Sequence, residues 1–399
     1  MPFLVVPATV LVGVLYGVPK VGHRAACSGP AFHRRPTAPT GRLRSTHPRA
    51  TRVTHLIILN VWLHEMPSTW REVMSVRLDV SQLNLVDLDA VKGALLRRLS
   101  LVQDNAIDRK VIVVINGKGG VGKSSLAAAL AAALAQIGLK VLLGELDEQG
   151  NNAEDLGLSA LGLADNGEAQ AAAILDGKLL TPTGEARPNL HVLPGGLALE
   201  EVVEELYCQR RVARRFEGPF DRQVWMGLYA AAIERVRHLY DVIILDVAPG
   251  NAPLQLQALT GGELVLIPTK SDPSSRKGLR TVAQRFATAA ELNPLLRLLG
   301  VAVFATNSSA TRIQSEIREQ LEGDLLGAAP VFEQTIRHVE SAAVACRKAG
   351  KVPQELRNSK DLDRAAQRSM SQLAGDYQSL ALEVMQVMRA MKDQEGRAA

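Results

Sequence analysis

The most constraining feature of this chain is an apolar run that ends on a glycine-rich loop, which opens straight into an alanine-rich stretch. Val111-Ile112-Val113-Val114-Ile115 is β-branched throughout and reads as a buried strand. Gly117-Lys118-Gly119-Gly120-Val121-Gly122-Lys123-Ser124-Ser125 follows, and then a helical pattern to residue 137. Strand, glycine loop and helix in that order are the setting a phosphate-binding loop requires. The chemistry explains the residue types. Glycines let backbone N–H groups turn inward with no Cβ in the way. A helix N-terminus adds partial positive charge. Lys123 is placed to meet the β- and γ-phosphates, and the Ser124 hydroxyl to ligate Mg²⁺. Segment 117–125 is therefore expected to hold the phosphates of ATP.

The pattern after residue 110 is regular. Strands are expected at 110–115, 140–143, 191–193, 241–245, 264–267, 300–305 and 330–332, as nearly continuous apolar runs suited to burial on both faces. Helices are expected at 124–137, 223–240, 274–292 and 311–326. A long one over 361–391 carries Leu373, Tyr377, Leu380, Val384 and Met388 on one face. Alternating strands and helices imply an α/β fold: a doubly wound, mostly parallel β-sheet of P-loop NTPase architecture with helices on both faces. A short amphipathic helix at 87–101 is expected to pack on the sheet edge.

Charge and cysteine usage narrow the setting. The formal net charge is +5 over 399 residues, but residues 1–73 hold nine Lys/Arg against two Asp/Glu, so the remainder is slightly acidic. Any nucleic-acid contact in the main body must come from a local patch. The three cysteines, Cys27, Cys208 and Cys346, are far apart and form no C-x-x-C, which excludes a disulfide framework and a zinc ribbon. The apolar run 3–18 has no basic start and is shorter than the ~20 residues of a membrane span. The leader 1–73 has three readings: an over-called start with the true one at Met66 or Met74, a disordered extension that meets DNA or lipid by charge, or a cleaved targeting segment. Residues 74–105 form a helical segment, and 106–395 the ATPase domain with its C-terminal helix.

Lys118, a second lysine at the head of the loop, makes the motif Lys-Gly-Gly-x-Gly-Lys-Ser, which resembles the deviant Walker A signature of the ParA/MinD superfamily. The resemblance runs from about residue 110 to 350 and is most like ParA-type partition ATPases, with support from 189–196, 268–278 and 307–312. It implies that Lys118 reaches across a dimer to the partner's nucleotide. It implies that Asp147, in Glu145-Leu146-Asp147-Glu148-Gln149, orients the attacking water and sits close to Mg²⁺; Glu148 stands where the family has proline. Asp246, ending an apolar strand, matches the Walker B carboxylate that holds Mg²⁺ through water. Val247-Ala248-Pro249-Gly250 departs from the family's usual form but resembles its second switch. Asn307 resembles an adenine-contacting position, or is an ordinary turn residue. Pro268 is expected to line the base pocket by its backbone.

The resemblance further implies an ATP-dependent homodimer, nonspecific binding to double-stranded DNA, and a ParB-like activator, all in the cytoplasm at the nucleoid. Arg312 and Arg337 are the expected DNA contacts, with a solvated charged face as the alternative for each; Arg210, Arg211, Arg214 and Arg215 form a further cluster at helical spacing. A MinD-like ATPase that positions an assembly at a membrane or pole is the competing reading. The mixed charge and lack of bulky aromatics over 388–399 disfavour it, so no membrane contact is expected. Cys208 and Cys346 do not match an iron-protein cluster, and a lone Tyr377 does not make a tyrosine-kinase tail.

Overall fold

β1 (Val111–Val114) is buried on both faces, and its side chains alternate between two cores. Val111 and Val113 enter one core and Ile112 and Val114 the other, which is why the sequence shows a continuous apolar run. The computed structural model describes residues 88–103, 108–216, 220–270, 273–306, 311–325 and 329–398.

In chain order the elements are α1 (Leu88–Gln103), β1, α2 (Lys123–Gln136), β2 (Val141–Leu146), α3 (Asn152–Asp155), α4 (Glu168–Leu175), β3 (Gly184–Arg187), β4 (Leu190–Leu193), α5 (Ala198–Ala213), α6 (Leu228–Val236), β5 (Val242–Val247), α7 (Ala252–Gly261), β6 (Leu264–Lys270), α8 (Pro273–Ala290), β7 (Arg297–Thr306), α9 (Thr311–Leu325), β8 (Ile336–Arg337), α10 (Glu340–Ala349), α11 (Pro353–Leu356) and α12 (Arg364–Ala398). The sheet order is β3-β4-β2-β5-β1-β6-β7-β8, and only the β3–β4 pair is antiparallel. This is the expected doubly wound α/β sheet. Helices α2, α10, α11 and α12 cover one face, and α1 and α4 to α9 the other. α2 is buried from Leu126 to Ala135, and its alanines let it lie close to both the sheet and α12.

Four elements differ from expectation. β3 is a polar edge strand with no apolar run to reveal it. Residues 330–332 contribute a single bridge, Val301 to Val331, and the last strand forms at Ile336–Arg337 instead. The stretch 223–240 is a short α-helix between two 3₁₀ turns, Val224–Gly227 and Arg237–Leu239. α1 packs on α6 and the first of those turns rather than on the sheet edge. It is held there by Arg98, fully buried, whose guanidinium donates to the carbonyls of Thr260 (2.9 Å), Gly261 (2.8 Å) and Gly262 (3.3 Å) and pairs with Glu234. A cation on the last carbonyls of α7 suits that end of the helix. The C-terminal helix buries Leu373, Tyr377, Leu380 and Val384 as expected, and its far end is tied to Arg109 by Glu395. Among the described residues no helix is long and apolar enough to cross a membrane.

Candidate nucleotide site

β1 lies between β5 and β6, where the chain changes its direction of winding, so the β1–α2 loop sits at a topological switch point. Strand register then assembles the site. Asp246 on β5 is level with Val114 on β1 and with Glu145 on β2, at the carboxyl ends of all three strands.

The glycine loop is held open by conformation and by its neighbours. Gly120 and Gly122 adopt φ of 67° and 92°, in the left-handed region. A Cβ at Gly122 would lie 2.5 Å from the Phe304 ring. α2 starts after Gly122, which has no side chain to cap the N–H groups of its first turn. Val121 is buried, Gly117, Lys118 and Ser124 are half-buried, and Gly119, Gly120 and Ser125 are exposed. Asn116, fully buried between strand and loop, donates to the Pro268 carbonyl (2.7 Å) and accepts from the Lys118 amide (2.8 Å). The backbone of Pro268 therefore anchors the loop.

Lys123 is buried, and its ammonium donates to the Lys118 carbonyl at 3.3 Å. Burial lowers its proton affinity, while the carboxylates of Asp246 and Asp147 oppose that shift. Two buried carboxyl groups, Asp246 and Asp147, act on this ammonium, and a third, Glu145, acts on Asp246. Burial pushes Asp246 up to about 6; the Ser124 hydroxyl and the Lys123 charge pull it down, and Asp147 pushes it up. Glu145 is held well above the usual carboxylate range by burial and then by Asp246. Asp147 is raised by burial, against the Gln149 amide that donates to its Oδ1 at 3.0 Å; Glu148 adds to the rise and Lys123 opposes it.

Loop backbone and amide side chains fix these acids in place. Glu145 accepts from the Asn152 amide (3.0 Å) and the Gly195 amide (3.2 Å). A Cβ at Gly195 would sit 2.2 Å from the Asp147 carbonyl oxygen, so only glycine fits there. Asn152 Nδ2 donates to Asp246 Oδ2 at 3.1 Å, and Asp246 Oδ1 is buried with no hydrogen-bond partner. Gln170 Nε2 donates to the carbonyls of Glu145 (2.7 Å) and Pro194 (2.8 Å), while its Oε1 accepts from the Tyr229 hydroxyl (2.6 Å). Glu148, in the family's proline position, bridges to the Asn251 amide at 3.2 Å and so links the two loops that flank the site.

The structure thus brings Lys123, Ser124, Asp147 and Asp246 together at one end of the sheet, beside Lys118. Asn307 and the side chain of Arg312 lie outside the described residues. Arg337 is on β8, remote in sequence from the loop, and its guanidinium grips Asp376 (Nε to Oδ2 2.6 Å, Nη2 to Oδ1 2.8 Å) and Gln372 (2.9 Å). Asn116, Asn152, Gln170 and Asn251 went unread in the sequence. The one signal available was the polar Asn116 directly after an apolar strand.

The acid cluster sets a pH dependence. A carboxyl raised from 3.8 to about 6 holds its proton more tightly in the folded chain than in the unfolded one. Its contribution to stability is complete below 3.8 and is lost as pH rises through about 6. Glu145 and Asp147 shift the same way. Without nucleotide or Mg²⁺, Asp246 alone should make the chain about 1 kcal/mol more stable at pH 5 than at pH 8. Thermal unfolding of the chain and of Asp246→Asn across that range checks this. The excess at low pH should shrink in the variant, and an identical pH profile would contradict the assignment.

A family model described as an AAA domain matches residues 109–298. The chain is 33% identical over 217 residues to the chromosome-partitioning ATPase Soj of Thermus thermophilus, covering 53% of this chain and 74% of that protein. It is 30% identical over 218 residues to the chromosome partitioning protein ParA of Myxococcus xanthus, covering 54% and 71%. The apo structure of Cyanothece McdA shares the fold, with a TM-score of 0.52 at 18% identity over 67% of this chain and 99% of that one. A glycine loop at a switch point, with a buried lysine and strand-end carboxylates, defines a P-loop nucleotide-binding protein. The chain belongs to the ParA/MinD superfamily of P-loop ATPases, among relatives of the Soj and ParA partition proteins.

Proposed function

We propose that this chain is a Mg²⁺-dependent ATP hydrolase of the partition type. ATP closes a homodimer, the dimer holds double-stranded DNA without regard to sequence, and hydrolysis stimulated by a ParB-like partner releases it. The observation that carries the reading is the buried Lys123 with two buried carboxyl groups acting on it, Asp246 and Asp147, at the mouth of a left-handed glycine turn. Such a cluster is poorly balanced by itself and suits a polyphosphate with its cation.

Residues 117–125 would take the phosphates through backbone N–H groups and Lys123. The residues fit Mg²⁺: Asp246 Oδ1 is buried with no hydrogen-bond partner, the Ser124 hydroxyl meets the same carboxyl group, and Asp147 acts on it from close by. Among the described residues no cluster of three His, Cys, Asp or Glu is placed to hold a metal, and magnesium commonly takes one or two side chains plus phosphates. When bound it would offset phosphate charge. Asp147, fixed by Gln149 and by the Gly196 amide on its carbonyl (3.0 Å), would orient the attacking water. Pro268 and Asn307 remain the proposed base contacts.

Lys118 would place a cation between two nucleotide-bearing faces that otherwise repel. Lys118→Ala should bind ATP as a monomer within about threefold of the parent but form no ATP-dependent dimer. Light scattering with ATP and Mg²⁺ checks it; a variant that still doubles its mass removes Lys118 from that role.

DNA contact needs positive charge without base readout. Arg312 is proposed for it; Arg337 is the weaker of the two, because a phosphate would have to compete with Asp376 for its guanidinium. Nucleoid association follows from DNA binding. The test is retention of the full chain on nonspecific duplex DNA with ATP, ADP or no nucleotide. Retention is expected with ATP alone, and equal retention in all three states would sink the partition reading.

A further inference from the structure

Helix α5 segregates its charges, acids in its first half and bases in its last turn. Its inner side, Leu199, Val202, Leu206 and Ala213, packs into the core on the face of the sheet opposite α2. Its outer side exposes Glu200, Glu201, Glu204, Tyr207, Cys208 and Arg211, and the hydrogen-bonded turn that follows exposes Arg214 and Arg215. None of these six charged side chains forms an ion pair among the described residues.

Acids at the start of a helix and bases at its end suit the helix dipole, which accounts for Glu200, Glu201, Arg210 and Arg211. The effect fades within a turn and does not reach Glu204 and Glu205. Segregation also stacks like charges four apart: Glu200 on Glu204, Glu201 on Glu205, Arg210 on Arg214, Arg211 on Arg215. Each such pair is unfavourable within a single helix. The pattern becomes favourable under a different operation. A half-turn about a point between Tyr207 and Cys208 exchanges the exposed acids Glu200, Glu201 and Glu204 with the exposed bases Arg215, Arg214 and Arg211. The acidic half of the exposed face then lies along the basic half of the second copy, with Glu204 nearest Arg211 at the centre.

We propose that this face docks a second copy of the chain, with the two α5 helices antiparallel about a two-fold axis at Tyr207 and Cys208. A two-fold contact must be self-complementary, and a charge palindrome meets that condition. Tyr207, 46% exposed, supplies apolar area at the axis. The contact lies on the other side of the sheet from α2 and requires no nucleotide, so it stands independently of the partition reading. Exposed ion pairs are individually weak and are screened by salt, which makes the contact concentration-dependent and salt-sensitive.

Cys208 is exposed and Cys346 buried, so Cys208 reports on the axis. The experiment uses the full chain carrying Cys27→Ser, without nucleotide, treated with a short bis-maleimide at low salt. A crosslinked dimer is expected, and should be lost in Cys208→Ser and in 1 M NaCl. A variant with an acidic exposed face (Arg211→Glu, Arg214→Glu, Arg215→Glu) and one with a basic exposed face (Glu200→Arg, Glu201→Arg, Glu204→Arg) should each fail to crosslink alone, and should crosslink when mixed. If either triple variant misfolds, Arg211→Glu mixed with Glu204→Arg carries the same test with one charge each. Crosslinking that is indifferent to reversal, or a mixture no better than its components, overturns the proposal.

Discussion

Lys123→Ala abolishes ATP binding. The ammonium is buried, balanced by Asp246 and Asp147, and set at the start of α2. Removing it leaves those carboxylates facing the phosphates with no intervening charge from the protein. Breaking a buried charged pairing costs about 3–5 kcal/mol, on the order of 10²–10³-fold or more in affinity. Calorimetric titration with ATP and Mg²⁺ reads this directly. Thermal unfolding of the variant separates lost binding from lost folding: it should still melt cooperatively. Wild-type affinity in Lys123→Ala would mean that the phosphates do not lie in the glycine loop.

Asp147→Ala should retain ATP and lose hydrolysis. Asp147 is fixed by the Gln149 amide through its side chain and by Gly196 through its carbonyl, in a loop that Gln170 and Glu148 hold from two sides. Its side chain gives the loop one hydrogen bond, from the Gln149 amide, while the bonds from Gly150 and Gly196 go to its backbone carbonyl and survive in alanine, so its removal should leave the loop in place. Loss of a positioned acid–base or water-orienting group typically slows turnover by ~10²–10⁴-fold. Phosphate release should fall by that factor while ATP affinity changes little. The variant should then stay on DNA as an ATP-closed dimer, because the step that opens it is missing. Normal turnover in Asp147→Ala would remove this residue from the chemistry and leave its rise in proton affinity as a plain effect of burial.

Much of the fold was legible because the central strands are buried on both faces. β1, β5 and β6 carry apolar residues at every position of their cores, and such runs between glycines and helical stretches leave little choice of architecture. Legibility failed at the edges. β3 is Gly184-Glu185-Ala186-Arg187 and pairs only with β4, so hydropathy carries no sign of it. The apolar run at 330–332 misled in the opposite direction: Val331 and Phe332 are core residues, but their backbone makes one bridge to β7 and not a ladder. α1 was visible as an amphipathic helix, yet its partner was not, because Arg98 seeks three carbonyls more than 160 positions away.

The site divides along the same line. Lys123 could be read from the glycine loop and Asp246 from its place at the end of an apolar strand after such a loop, while Asp147 came from the resemblance to the ParA/MinD superfamily. The amides that position them could not. Asn152 meets Asp246 across 94 positions and Gln170 meets Glu145 across 25, and neither spacing has a signature. Glu148 was noted as a departure from the family's proline; its bond to Asn251 shows that the substitution joins two loops by a side chain where a ring would stiffen one of them.

The central claim is that Lys118 and Lys123, in one glycine cradle, let two nucleotide-bearing faces meet. A crystal structure of the full chain with a non-hydrolysable ATP analogue and Mg²⁺ tests it most directly. The account predicts phosphates within 117–125, the cation within reach of Ser124 and Asp246, and Lys118 directed at the phosphates of a second copy. A cradle empty of phosphate with Lys123 still on the Lys118 carbonyl at saturating analogue, or Lys118 turned away from the partner's nucleotide, would contradict it.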